Sequence, residues 1–319
     1  MAGEDKKYAF AQATVVLFNP QAQMRSILRS AMQGLGFENV LDYGEFDQAR
    51  FAVIERAPDL VLLDLDSEKD KVCGLVREIR NTNICADPFV PVMVLSWQPN
   101  MVVVNNIMEA GVDDMIVMPL SIKMIYERID ALIRNRPEFV VTSSYVGPER
   151  RSGGREKIDA LGLGTIKVPN SLRFKATGDQ AAMASIEAIN EVKQKIEHHR
   201  VNRYAQRIQW LLDQILSDKA KKIEDSAVTV QRHDEIGRLI EDTSFDLRAR
   251  GHVELLEITD SMMRLLDFVR ARHSKQFYDF LRLHAMAINA TLLEREGAAQ
   301  LVAQALEETA SYLDRIEAA

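Results

Sequence analysis

Asp64 closes the aliphatic run Leu60–Leu63, and Asp66 follows two residues later. A buried parallel strand ending there carries one carboxylate to the rim of a sheet, where it could accept a phosphoryl group or help hold a hard cation. That chemistry needs companions. Phosphoryl transfer runs on positioning and charge stabilisation, so a reactive aspartate requires further oxygen ligands for Mg²⁺ and a positive group for the phosphoryl oxygens. Elsewhere the chemistry-bearing residues are scattered. His198 and His199 are adjacent, so they point to different helix faces and cannot share a metal as an i, i+4 pair could. Cys73 and Cys85 give neither a disulfide framework nor a metal spacing, and they read as small apolar side chains. No phosphate-binding glycine loop and no G-x-S-x-G elbow occurs.

The elements that must position Asp64 are readable. Thr14–Phe18, Leu60–Leu63, Val90–Leu95 and Met115–Val117 are near-continuous apolar runs, too short for buried helices, and Asn39–Leu41 is a weaker one. Such runs suit strands covered by helices on both faces. Between them Met24, Ile27, Leu28 and Met32 recur at helical spacing, with Gly34 and Gly36 as the stop. Leu75, Val76 and Ile79 mark another helix, and Ile122, Ile125, Ile129, Leu132 and Ile133 a last one. The pattern predicts a flavodoxin-like, doubly wound five-stranded parallel sheet over residues 12–136, with its functional rim at the carboxyl ends of the strands.

Residues 137–180 change regime. Ser-Ser, Gly-Pro, Glu149-Arg150-Arg151, Gly153-Gly154 and Arg155 read as an irregular, solvated linker. From Gln180 on the chain is helical: residues 181–319 hold no proline and only Gly237, Gly251 and Gly297. Val201, Tyr204, Ile208, Leu211 and Ile215 step 3-4-3-4, the seam of a coiled coil or bundle helix. Leu255, Leu256, Met262, Met263, Leu265, Leu266 and Val269 form a broader band suited to a helical bundle. Turns are expected at Asp225–Arg232 and Gly251. The fold class is therefore α/β followed by all-α.

Pro58-Asp59-Leu60-Val61-Leu62-Leu63-Asp64, together with Glu109-Ala110-Gly111-Val112-Asp113-Asp114 and Met118-Pro119, resembles the receiver domain of bacterial response regulators over residues 12–136. The resemblance implies that Asp64 stands at the phospho-accepting position and that two acids after the first strand help bind Mg²⁺. Here those positions are Asn19 and Pro20, leaving Asp66 as a possible substitute ligand. The family's lysine before the proline is Met118, its switch hydroxyl is Ser96, its switch aromatic is Met115, and bulky Trp97 follows Ser96. A thioether cannot offset the −1.5 to −2 charge that a phosphoryl group adds. Asp64 is thus expected to be a vestigial phosphoacceptor, with no catalytic residue, no cofactor and Mg²⁺ disfavoured.

The function expected is that of a non-enzymatic signalling adaptor, a pseudo-receiver acting through protein partners without phosphorylation. Homo-oligomerisation is expected through residues 181–223. Two alternatives remain: a working phosphorelay through Asp64, or through His284 on a helix that faintly resembles a histidine phosphotransfer module, and transcription regulation through the helical half. The net charge of −7 gives no electrostatic footprint for nucleic acid. No apolar stretch reaches the ~18 residues of a membrane span, and Met1–Tyr8 has no apolar signal core, so a cytoplasmic location is expected.

Overall fold

The computed structural model describes residues 8–81, 84–97, 100–142, 145–150, 164–220, 226–249, 253–272, 275–292 and 295–317. Two compact units result, Met1–Lys195 and Ile196–Ala319.

In the first unit β1 (Thr14–Phe18), β2 (Asn39–Tyr43), β3 (Leu60–Asp64), β4 (Val92–Ser96) and β5 (Asp114–Val117) form a parallel sheet in the order β2-β1-β3-β4-β5. They alternate with α1 (Ala22–Gly34), α2 (Phe46–Glu55), α3 (Lys69–Asn81), α4 (Met101–Ala110) and α5 (Ile122–Asn135). Because successive strand side chains point to opposite faces, the aliphatic runs feed two cores. Val16, Val61 and Val94 pack with α2, α3 and α4, while Val15, Leu62 and Met93 pack with α1 and α5. Local signals set the helix ends. Asn100 accepts the Val103 N–H at 2.9 Å to start α4, and Ser121 accepts the Met124 N–H at 3.2 Å to start α5.

The stretch 137–180, expected to be an irregular linker, is ordered wherever it is described. β6 (Phe139–Val141), β7 (Val146–Pro148) and β8 (Thr165–Ile166) make an antiparallel sheet in the order β7-β6-β8, followed by α6 (Ser171–Thr177). Strands of two or three residues carry too little periodicity to read. Their anchors are long-range. Leu172 and Ala176 enter the core beneath α1 and α5, and Asn170 donates to the Leu132 carbonyl at 2.8 Å. Gly111 sits at φ +96°, and a Cβ there would lie 2.9 Å from the Val146 carbonyl. Only glycine meets both conditions. Arg151 and Arg155 lie outside the described residues.

The helical unit comprises α7 (Ile186–Ala220) from Ile196 on, α8 (Ser226–Ala249), α9 (Val253–Arg272), α10 (Lys275–Leu292) and α11 (Ala298–Glu317). α9 packs on α8, α10 and α11, and α10 packs on α11. The seam Val201, Tyr204, Ile208, Leu211 and Ile215 is buried inside this unit, with Ile236, Leu255 and Leu265 in the same core. The seam, read as that of a coiled coil or of a bundle helix, is therefore covered within one chain. Of the turn expected at Asp225–Arg232, residues from Ser226 on are helical, while Asp225 and Gly251 lie outside the described residues. Among the described residues no helix is long and apolar enough to cross a membrane.

Candidate functional site

The parallel register brings the expected site residues to one rim. Phe18 pairs with Leu63, Asp64 with Leu95 and Ser96 with Val117, so Asn19, Asp64 and Ser96 leave neighbouring strands at the same level. Asn19, Asp64 and Ser96 are all buried.

Asp64 is held by direct bonds. The Asn19 amide Nδ2 donates to Oδ1 at 3.1 Å, and the Ser67 N–H donates to Oδ2 at 3.2 Å. Burial pushes the Asp64 carboxyl above the usual range; Ser67 opposes the shift and nearby Asp66 adds to it. Asn19 is itself fixed, since its Oδ1 accepts the Gln21 N–H at 2.9 Å. The amide therefore turns its nitrogen toward Asp64, and an N–H cannot ligate a hard cation. Pro20 offers only its backbone carbonyl, which Arg25 Nη1 engages at 3.0 Å; the same nitrogen reaches the Asn19 carbonyl at 3.0 Å. Among the described residues no group of three or more His, Cys, Asp or Glu is placed to hold a metal.

Asp66 does not turn to Asp64. It lies at the exposed edge of the rim, where Oδ1 accepts the Ser96 hydroxyl at 2.7 Å and Oδ2 accepts the Trp97 N–H at 2.6 Å. Sequence reasoning placed Asp66 here but could not see its partners, which are some thirty positions away. Met118 is buried, donates its N–H to the Ser96 carbonyl at 2.8 Å, and precedes a cis bond to Pro119. Met115 is partly buried against the core shared with α2, α3 and α4. Beside this rim Trp97, Met101, Val102, Val117, Ile122 and Met124 are exposed.

His284 stands apart, on α10 in the helical unit. It is fully buried: Nδ1 lies 2.8 Å from the Phe280 carbonyl and Nε2 lies 2.9 Å from Ser261 Oγ. A donor protein has no access to either nitrogen. Burial also pushes its pKa down.

A second polar cluster, which sequence reasoning missed, lies at the opposite ends of the strands. Arg80 donates to Asp113 Oδ2 at 2.8 Å and to the carbonyls of Gly111, Pro88 and Val90. Arg136 donates to Asp113 Oδ1 at 2.7 Å, and both guanidinium groups lie over the Phe139 ring. Arg150 reaches the Val112 carbonyl. No spacing in the sequence links these residues.

Comparison with known proteins agrees with the topology. The chain is 31% identical over 124 residues to the DNA-binding response regulator MtrA of Mycolicibacterium paratuberculosis, covering 39% of this chain and 52% of that protein. It is 26% identical over 121 residues to the phosphate regulon transcriptional regulatory protein PhoB of Pseudomonas aeruginosa, 38% and 52% of the two chains. A third relative, the probable transcriptional regulator ycf27 of Galdieria sulphuraria, is 26% identical over 164 residues, 51% and 61% of the two chains. This chain spans about half the length of the first two relatives. No protein-family model matches it. The similarity to response regulators covers roughly the N-terminal 120 residues, and with the five-stranded parallel sheet it identifies a receiver-like domain there.

Proposed function

We propose that this protein is a response-regulator-like signalling adaptor whose receiver domain works without phosphorylation, through protein–protein contacts. The observation that carries the reading is the direct bond from the Asn19 amide to Asp64. In a phosphorylatable site a cation stands between the acceptor and its acidic neighbours; here a neutral amide fills that role. Pro20 has no side-chain oxygen, Asp66 is already engaged by Ser96 and Trp97, and Met118 supplies no positive charge. The donor set does not fit Mg²⁺. Asp64, Asn19, Pro20, Asp66, Ser96, Met115 and Met118 are thus read as the remains of a phosphorylation site, and the protein is read as no enzyme.

The docking surface on this reading is the α4–β5–α5 side, where exposed Met101, Val102, Val117, Ile122 and Met124 offer apolar area to a partner protein. Self-association through α7 requires a face other than the Val201–Ile215 stripe, which its own unit covers. A relay through His284 is disfavoured by its burial. DNA binding, named for MtrA, is not carried over, because the match covers 39% of this chain and 52% of that protein.

Incubation of the full chain with a small acyl-phosphate donor and Mg²⁺, followed by mass spectrometry, tests the proposal. The expected result is an unmodified Asp64. Stoichiometric acyl phosphate at that residue overturns the reading.

A further inference from the structure

Among the described residues, Asp66 is the one rim acid whose two oxygens are both taken by another loop. It follows β3, whereas Ser96 and Trp97 lie at the end of β4 and just beyond it, so the two bonds tie the β3–α3 turn to the β4–α4 turn. The donors are a hydroxyl and the next residue's backbone N–H, a two-point clamp that fixes both side chain and backbone. Ser96 is also pinned from the other side, since its carbonyl accepts the Met118 N–H.

The strand register gives this clamp its meaning. Asp64 pairs with Leu95, the residue before Ser96. Asp64 bonds Asn19 and Ser67, so from the β3 side it is Asp66 that holds the Ser96 hydroxyl and the Trp97 N–H. We infer that the Asp66 carboxylate is a built-in latch, holding the Ser96–Trp97 turn in place with no covalent anion on Asp64. The exposed apolar side chains that follow, Trp97, Met101 and Val102, are thereby presented in one fixed arrangement. This rests on the adaptor reading and deepens it by naming what holds the docking surface. It also bears on modification itself: a phosphoryl group on Asp64 would add negative charge beside Asp66 with no cation between them.

The test uses the full chain carrying Trp210→Phe, which leaves Trp97 as the sole tryptophan. Amide hydrogen exchange is followed at Trp97 and over Met101–Val104, with acrylamide quenching of Trp97, and no phosphodonor is added. Asp66→Ala is expected to speed exchange at Trp97 about tenfold, the scale of one lost charge-assisted hydrogen bond. Asp66→Asn, which keeps one acceptor, should fall between the two, and Ser96→Ala should release the turn less than Asp66→Ala. Asp64→Asn should leave Trp97 exchange within about twofold of the parent, because no latch donor bonds to Asp64. Unchanged exchange in Asp66→Ala, or equal release in Asp64→Asn, overturns the latch. If Asp66→Ala fails to fold, faster exchange in Asp66→Asn and Ser96→Ala than in the parent supports the latch, and unchanged exchange in both overturns it. Since no donor is present, failure here leaves the Asp64 phosphorylation result standing, and the reverse also holds.

Discussion

Arg80 and Asp113 form an ion pair, Nη2 to Oδ2 2.8 Å, in which neither side chain retains any exposure. Burial pushes the guanidinium pKa down, Asp113 opposes that shift and the nearby Arg136 charge adds to it. The charges are tolerated because they are heavily hydrogen-bonded. Three carbonyls accept from Arg80, while Asp113 also accepts from Arg136 and from the Val92 N–H at 2.8 Å. The cluster joins α3, the starts of β4 and β5, the end of α5 and the Phe139 ring, so it anchors β6–β8 to the parallel sheet.

Removing Asp113 leaves the buried Arg80 and Arg136 charges without their shared carboxylate. Asp113→Ala is therefore expected to destabilise the first unit by about 3–5 kcal/mol, and Arg80→Met with Asp113→Leu together by less. Urea unfolding followed through Trp97 in the Trp210→Phe background measures both. A loss below about 1 kcal/mol for Asp113→Ala would show that water reaches the cluster.

Acid should loosen the helical unit before the receiver-like one. Burial lowers the pKa of His284, and burial with neighbouring positive charge lowers that of His199. A depressed histidine stays neutral when folded, while the unfolded chain takes up the proton first. Its contribution is complete above about pH 6.5 and is lost as pH falls toward the lowered folded value, by about 1.4 kcal/mol per pH unit per group. Urea midpoints read by Trp210 in a Trp97→Phe variant, at about pH 7.5 and about pH 5.5, should fall on acidification. His284→Gln should remove part of that fall. An unchanged pH slope in the variant would mean that His284 is protonated alike in both states.

The sequence exposed what repeats and hid what does not. Strands covered on both faces are unbroken aliphatic runs, so β1, β3 and β4 could be read, and Asp64 with them. β6, β7 and β8 could not, because their stability comes from Arg80, Arg136 and Arg150, whose bonds span long sequence separations. The 3-4-3-4 stripe in α7 was legible as a buried face, but a stripe does not say whether its cover comes from another chain or from α8, α9 and α10. For Asp66 the position was readable and the bonds were not, since its partners depend on the β3–β4 register. The burial of His284 was not legible, since its Nε2 meets Ser261 on another helix.

Covering the α7 stripe within its own unit has a measurable consequence. Leu211 is 1% exposed among core side chains of α8, α9 and α10. Leu211→Ala should destabilise the helical unit by about 2–5 kcal/mol through lost burial and a residual cavity. Light scattering should give the same mass as the parent chain. A smaller mass with undiminished urea resistance would instead place the stripe in an interface between chains.

Rebuilding the missing charges should restore chemistry to Asp64. Asn19→Asp alone replaces the amide that bonds Asp64 with a second carboxylate, so two like charges face each other in a buried rim. That variant should melt below the parent in chelator and recover as Mg²⁺ is added, because a ligand that binds only the folded state stabilises it by mass action. The parent melting point should not respond to Mg²⁺ in the same range. Adding Pro20→Asp supplies another hard oxygen, and Met118→Lys supplies the positive charge for the phosphoryl oxygens. The triple variant should then show about 10²-fold more Mg²⁺-dependent acyl phosphate on Asp64 than the parent, the scale of a single charge-stabilising group in a catalytic site. The latch sets the remaining limit. Asp66 still occupies Ser96 and Trp97 in the triple variant, so Asp66→Asn added to it should raise the yield further. If all three replacements leave Asp64 unmodified while the protein stays folded, its inertness comes from the shape of the rim and not from the absent charges.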